Sequence, residues 1–112
     1  MKLFKVLSFT LVLLFITSCS EQKDFNSTKW KNWTESENRP GLRWQMHKDL
    51  LKKYDLEDYN KEQVLNLLGK PNSETNGEYH YPLGYTERGI NTGTMIITFE
   101  NDHVVDIKII NG

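Results

Sequence analysis

A helix stop at Gly69 and Pro71 limits the fold of this chain more than any other feature of its sequence. Asn60 before it is a favourable N-cap, and Gln63 lies where its side chain completes a capping box. Glycine suits the left-handed residue that ends a helix, and a proline two positions later prevents the helix from continuing. The sequence therefore predicts a helix over residues 60–69, followed by a different kind of structure.

The spacing of apolar residues differs on the two sides of this stop. Before it, residues 43–55 favour an amphipathic helix, because Met46, Leu50 and Tyr54 recur at helical spacing. After it, apolar residues take a period of two in three segments: Tyr79 to Leu83, Met95 to Phe99, and Val105 to Ile109. Helices before strands predict an α+β fold, with two N-terminal helices packed on a three-stranded antiparallel β-sheet (ααβββ).

The last two strands are predicted to form a hairpin, and its turn follows from the side chains that must share a face. A two-residue turn would bring Asp106 onto the apolar face and bury its charge. A three-residue loop over residues 101–103 keeps that face apolar. It pairs Phe99 with Val105 and Ile97 with Ile107. We therefore predict the three-residue loop.

The first residues of the chain have the pattern of an export signal. An uncharged apolar run, Val6 to Thr17, is shorter than the ~20 residues that a transmembrane helix needs. It leads into Ile16-Thr17-Ser18-Cys19, which resembles the lipobox of bacterial lipoproteins. The resemblance implies that residues 1–18 are removed and that Cys19, the only cysteine, carries fatty acyl chains such as palmitate. The alternative is an ordinary secretory signal with a coincidental cysteine.

The rest of the chain is predicted to divide into a tether and a domain. Residues 19–41 are polar and lack a sustained period, which indicates a lipid-anchored, mostly flexible tether. Phe25, Trp30 and Trp33 are unusual for a linker, and they either pack against the domain or lie at the lipid interface. Residues 42–112 form the predicted α+β domain.

Charge and motifs exclude several classes of function. Removal of the signal takes Lys2 and Lys5 from the 14 basic side chains and leaves all 15 acidic ones, so the formal charge becomes about −3. This sign argues against a nucleic-acid-binding protein. His47, His80 and His103 lack the spacing of metal ligands, and we expect them to be exposed. The sequence predicts no catalytic residue, no metal and no cofactor, and a protein that is not an enzyme.

A glycine-containing stretch over residues 84–93 is the best candidate for a partner site. Its glycines lack the spacing of a phosphate-binding loop, and it is predicted to be a long hairpin connection. Tyr85, Arg88 and Ile90 are the candidate partner-binding residues in it. The alternative is a simple linker between strands.

Three parts of the domain together resemble a bacterial family. They are Leu68-Gly69-Lys70-Pro71, the aromatic strand with Tyr79 and Tyr81, and the passage from Phe99 through a turn to Val104. With the lipobox, they are similar to the SmpA/OmlA (BamE-like) lipoproteins, over roughly residues 42–110. That family includes an accessory subunit of the machine that assembles outer-membrane β-barrels. The resemblance implies the fold and an envelope location, but the family's partner-binding positions have no clear counterparts in this sequence.

The expected function is that of a non-catalytic, lipid-anchored envelope protein. It would bind another envelope protein in outer-membrane assembly or maintenance. Ser20 after Cys19 favours the outer membrane, facing the periplasm, in envelopes that use Asp there for retention at the inner membrane. The second hypothesis is an inhibitor-like or small-ligand-binding module. Its motivation is the expected exposure of Ile96, Val104 and Ile110 on the outer sheet face.

Overall fold

The computed structural model describes residues 22–35, 40–86 and 91–111, in which helices precede strands. The helices are α1 (Ser27–Asn32), α2 (Leu42–Lys53) and α3 (Lys61–Leu68). The strands are β1 (Ser73–Thr75), β2 (Glu78–Tyr85), β3 (Thr92–Glu100) and β4 (His103–Asn111). All four strands form one antiparallel sheet in the order β1-β2-β3-β4, which confirms the predicted α+β class. No helix in these described ranges is long and apolar enough to cross a membrane.

Helix α3 has the ends that its sequence predicts. The Gln63 backbone N–H donates to the Asn60 side chain at 2.8 Å, and the Asn60 backbone N–H donates to the Gln63 side chain at 2.8 Å. Gly69 follows the helix with a φ of +78°, and its N–H donates to the Leu65 carbonyl at 2.8 Å. The capping box and the helix stop are therefore confirmed.

Helix α2 presents its predicted apolar face to the core. Met46 and Leu50 are buried, and the helix packs against β2. It ends at Lys53, earlier than predicted, where Tyr54 takes an extended conformation with φ −120° and ψ 129°. The chain then turns so that Leu56 enters the core with 2% of its surface exposed.

The sheet contains one strand more than the three that the sequence analysis predicts. β1 pairs with β2 through a turn at Asn76-Gly77, whose φ values are +48° and +77°. Asn-Gly is the dipeptide most typical of a two-residue type I′ turn, so this hairpin has a readable sequence signal. The predicted count of three strands is therefore wrong, because the turn at Asn76-Gly77 adds β1 to the sheet.

The turn between β3 and β4 differs from the predicted three-residue loop. Glu100 pairs directly with His103, and the two residues between them are Asn101 and Asp102, with φ values of +51° and +69°. Positive φ at both positions is the geometry of a type I′ turn, and Asn and Asp tolerate it better than most residues other than glycine. The prediction of a loop over residues 101–103 is therefore wrong.

A β-bulge at Val105 explains how a two-residue turn avoids burying a charge. Phe99 pairs with Val104 rather than with Val105, and the register shifts by one residue immediately afterwards. Ile97 consequently pairs with Ile107, as predicted. The bulge also reverses the expected exposure of two residues. Val104, expected to be exposed on the outer face, is buried at 2% exposure, whereas Val105, expected on the apolar face, is 46% exposed.

The two faces of the sheet have different surroundings. One face carries the buried side chains of Tyr79, Tyr81, Met95, Ile97 and Phe99, which pack with the helices into a single core. Alternation along the strands places the remaining side chains on the opposite face, which is half-buried or exposed. That open face includes His80, Pro82, Thr94, Ile96, Lys108 and Ile110.

The segment from Lys23 to Trp33 belongs to the packed domain. Trp30 in α1 is completely buried, the Lys23 backbone N–H donates to the Gln45 carbonyl at 3.0 Å, and the Ser27 hydroxyl donates to the Leu67 carbonyl at 2.6 Å. Of the two alternatives for Phe25, Trp30 and Trp33, packing against the domain is therefore confirmed, and a flexible tether does not describe residues 23–33. Helix α1 also raises the number of helices in the described residues from the predicted two to three.

Candidate functional site

Strand β4 forms one edge of the sheet, and most of that edge is unpaired. At its start, the Val104 N–H donates to the Tyr59 carbonyl at 2.9 Å, and the Asp58 N–H donates to the Val104 carbonyl at 3.3 Å. Beyond this point no described residue pairs with the outer side of Val105–Asn111. In an antiparallel strand, every second residue directs its N–H and C=O to each side, so this stretch presents free donors and acceptors.

Apolar side chains accompany the free backbone groups of β4. Val105 is 46% and Ile110 is 45% exposed, which makes them more exposed than any other large hydrophobic side chain in the described ranges. Ile107 and Ile109 lie on the core side of the strand, but they are only half-buried because the helices do not fully cover this edge. A long, apolar and uncovered edge strand is the usual template for pairing with another strand.

A groove of about 410 Å³ adjoins this edge on the helical side of the sheet. It runs between the end of α2, the following connector and β4. Its apolar walls are Leu51, Tyr54, Leu56 and Ile107, and its charged rim is Lys52, Lys53, Asp55 and Glu57. Because Ile107 belongs to both the groove and β4, a strand added to β4 would place every second side chain beside the groove.

Asp49 of α2 accepts a hydrogen bond from the N-terminal segment and forms an ion pair with Lys53 of its own helix. The Lys53 Nζ atom lies 3.2 Å from Asp49 Oδ2, and the same oxygen accepts the Phe25 backbone N–H at 2.6 Å. The Phe25 hydrogen bond, assisted by Lys53, lowers the pKa of Asp49, while the hydrogen bond to Asp49 raises the pKa of Lys53. Lys53 is therefore engaged within the domain, although it lines the groove.

Arg43 is the charged side chain whose pKa is shifted most, and its contacts hold the fold together. Its Nε donates to the Trp30 carbonyl at 3.1 Å and its Nη1 to the Pro82 carbonyl at 3.0 Å. The guanidinium carbon lies 5.0 Å from the centroid of the Trp30 ring and 4.8 Å from that of Trp33. Burial lowers the pKa of Arg43 to about 10, so it remains charged at neutral pH. Arg43 thereby joins the N-terminal segment to β2.

The three histidines lie apart in the fold. His47 is only 5% exposed, and its Nδ1 lies 2.6 Å from the Trp44 carbonyl, so the prediction of an exposed side chain is wrong there. Burial in α2 lowers the pKa of His47. His80 contacts Glu78 at 3.1 Å on the open face, and His103 begins β4. Across the part of the chain that the structure describes, no three metal-ligating side chains are grouped to hold an ion.

The predicted partner-binding loop is only partly described. Tyr85 is the last residue of β2, and its carbonyl accepts the Gly41 N–H at 2.8 Å. The Thr86 N–H donates to the Asn91 carbonyl at 3.0 Å across the base of the connection. Arg88 and Ile90 lie outside the described residues, as does the lipidation candidate Cys19, so their roles remain predictions.

The free edge of β4 was not among the sequence-predicted sites, although two signals point to it. A chain of consecutively paired strands leaves its last strand at an edge, and β4 carries adjacent apolar pairs, Val104-Val105 and Ile109-Ile110. The Ile109-Ile110 pair places an apolar side chain on each face of the strand. No family model matches this sequence, and no curated protein or solved structure is significantly similar to it.

Proposed function

We propose that this chain is a non-catalytic, lipid-anchored envelope protein that binds a protein partner by strand addition at β4. The observation that carries the proposal is the free backbone edge from Val105 to Asn111 beside a groove with apolar walls and a charged rim. Strand addition uses main-chain hydrogen bonds for affinity and pockets for alternate side chains for specificity. Both components are present at this edge, whereas the groove alone is open and rimmed by charges, which favours a peptide over a small ligand.

The proposed anchor has a geometric consequence for this site. Lys23 is already fixed to α2, and four Cα steps separate it from Cys19. Four steps extend at most ~14 Å. A lipid on Cys19 would therefore hold the domain against the membrane surface, and β4 would meet partners that lie at that surface.

The proposed biological setting is outer-membrane assembly or maintenance, at the periplasmic side of the outer membrane. It rests on the sequence resemblance to the SmpA/OmlA lipoproteins, whose helix end corresponds to Leu68-Gly69-Lys70-Pro71, and on Ser20 after Cys19. The inhibitor-like or small-ligand alternative is weaker, because Val104 is buried and leaves only Ile96 and Ile110 of its three proposed contact residues on the open face.

Site-specific photocrosslinking tests the strand-addition surface. A benzophenone amino acid is placed at Val105 or Ile110, and at Leu65 as a matched control, since Leu65 is an exposed apolar residue of α3 at 37% exposure. Irradiation of intact envelopes should give discrete protein adducts from positions 105 and 110 and none from 65. Equal adducts from all three positions, or no adduct from β4, would reject the surface.

The anchor is tested separately by Cys19→Ala. Wild-type protein should fractionate with membranes and show the added mass of acyl chains, whereas the variant should lose both. A wild-type protein that carries no acyl chain would remove the lipoprotein part of the proposal and leave the crosslinking result to stand alone.

A further inference from the structure

We propose that a second copy of this chain pairs antiparallel with β4, so that two sheets join into one of eight strands. The inference rests on the proposed strand addition at β4 and names its occupant. Its basis is the charge pattern of Val105 to Ile109, which reads Val-Asp-Ile-Lys-Ile. This pattern complements itself when one strand is reversed against another.

The complementary register has a two-fold axis at Ile107. Asp106 then lies opposite Lys108 of the second copy, and Lys108 lies opposite its Asp106. Val105 lies opposite Ile109 of the second copy, and Ile107 lies opposite its own equivalent. Opposite charges and apolar residues directly across a strand pair are both stabilising. The exposed Val105 side chain is covered in the process.

Neighbouring two-fold registers are less favourable. An axis at Asp106 or at Lys108 places like charges directly opposite each other, which is destabilising. An axis at Val105 requires the backbone of Val104, which Tyr59 and Asp58 already occupy. An axis at Ile109 leaves both charges without an opposite charge across the strand. The register at Ile107 is therefore selected by charge and by the covered start of β4.

The same symmetry agrees with membrane attachment. A two-fold axis normal to the sheet gives an isologous contact and leaves both helical layers on one side. The N-terminal segment packs on that side, through its hydrogen bonds from Lys23 to Gln45 and from Ser27 to Leu67. Both proposed anchors would consequently enter one membrane, and the two open sheet faces would point away from it.

Charge reversal tests this register. The full chain, purified from membranes in detergent, is measured by sedimentation equilibrium as wild type, Asp106→Lys, Lys108→Asp and the double variant. Wild type should be dimeric, and each single variant should raise the dimer Kd at least about tenfold, because two attractive pairs become two repulsive pairs. The double variant should dimerise like wild type. Glu74→Lys on β1, at the opposite edge, is the matched control and should leave the Kd unchanged.

Mixing the two single variants gives the sharpest result. Asp106→Lys offers two lysines and Lys108→Asp offers two aspartates, so an equimolar mixture should form a heterodimer although neither variant self-associates well. Circular dichroism on each variant confirms that the fold is kept. A monomeric wild type, or failure of both the mixture and the double variant to restore dimers, overturns the inference. Photocrosslinks from Val105 to a different protein would then still support strand addition.

Discussion

The N-terminal segment is more buried, and strand β4 is more exposed, than the composition of each suggests. Residues 23–33 are mostly polar, yet they contribute Trp30, which is completely buried. β4 is rich in valine and isoleucine, yet it contains the two most exposed large hydrophobic side chains described. Specific partners therefore decide burial here: Trp30 packs against Arg43 and Tyr81, whereas no described residue covers the outer side of β4 beyond Val104.

Trp30→Ala should produce the largest effect, because it tests whether the N-terminal segment belongs to the core. The change removes a fully buried indole from the core, and we expect the free energy of unfolding to fall by about 3–5 kcal/mol. Urea unfolding followed by far-UV circular dichroism measures it. Trp30→Phe should cost less, because it keeps a ring and removes an indole N–H that has no acceptor among the described residues. A loss from Trp30→Ala below about 1 kcal/mol would mean that the segment does not contribute to the core.

Arg43→Lys should have the next largest effect, since it tests what fixes the segment in place. A lysine ammonium lacks the planar fork that reaches both the Trp30 and the Pro82 carbonyls and stacks on the indole rings. We expect a loss of about 1–3 kcal/mol, because one buried carbonyl loses its partner. Lys52→Arg, on the exposed side of the same helix, is the matched control for urea unfolding. Equal midpoints for the two variants would contradict this role of Arg43.

Ser27→Ala should have a smaller effect on the same segment. Its hydroxyl donates to the Leu67 carbonyl at 2.6 Å in a partly buried contact, and such a bond contributes about 1 kcal/mol. Thr28→Ala is the control, since the neighbouring Thr28 side chain is exposed. Thermal unfolding should separate the two variants by a few degrees. No separation would indicate that α1 is not held to α3 by this bond.

Val105→Thr should have the smallest effect on stability, and it tests whether β4 is uncovered in the monomer. Val105 is 46% exposed at the bulge, so we expect a change within about 0.5 kcal/mol at protein concentrations that keep the chain monomeric. The same variant should weaken any complex formed through β4. A loss of stability comparable to that of Trp30→Ala would show that β4 is covered within the monomer.

Local interactions explain which parts of the fold were predictable. The ends of α3 depend on Asn60, Gln63, Gly69 and Pro71, which are close in sequence, and so they were predicted correctly. The pairing of Ile97 with Ile107 followed from a shared apolar face. The bulge at Val105 was not foreseen, because a two-residue turn with a bulge and a three-residue loop give the same pairing beyond it.

Non-local interactions explain the rest. The burial of Trp30 depends on Arg43 and Tyr81, which lie far from it in sequence and whose positions no local pattern specifies. The candidate site at β4 also depends on contacts between residues that are distant in sequence. An edge position for the last strand follows from strand order, but the residues that cover its start, Asp58 and Tyr59, become known only once the chain has folded.

The docking of Trp30 against Tyr81 also has a consequence for the order of folding. Their ring centroids lie 6.4 Å apart, although one residue is near the start of the domain and the other is in the middle of the sheet. Closing a loop of this length is slow, because the chain loses conformational entropy before the contact forms and contributes any stabilisation. We therefore expect the first-synthesised part of the domain to be among the last to settle, after β2 has found its neighbours. An exported chain would keep this segment unpacked next to its signal until the remainder has crossed the membrane.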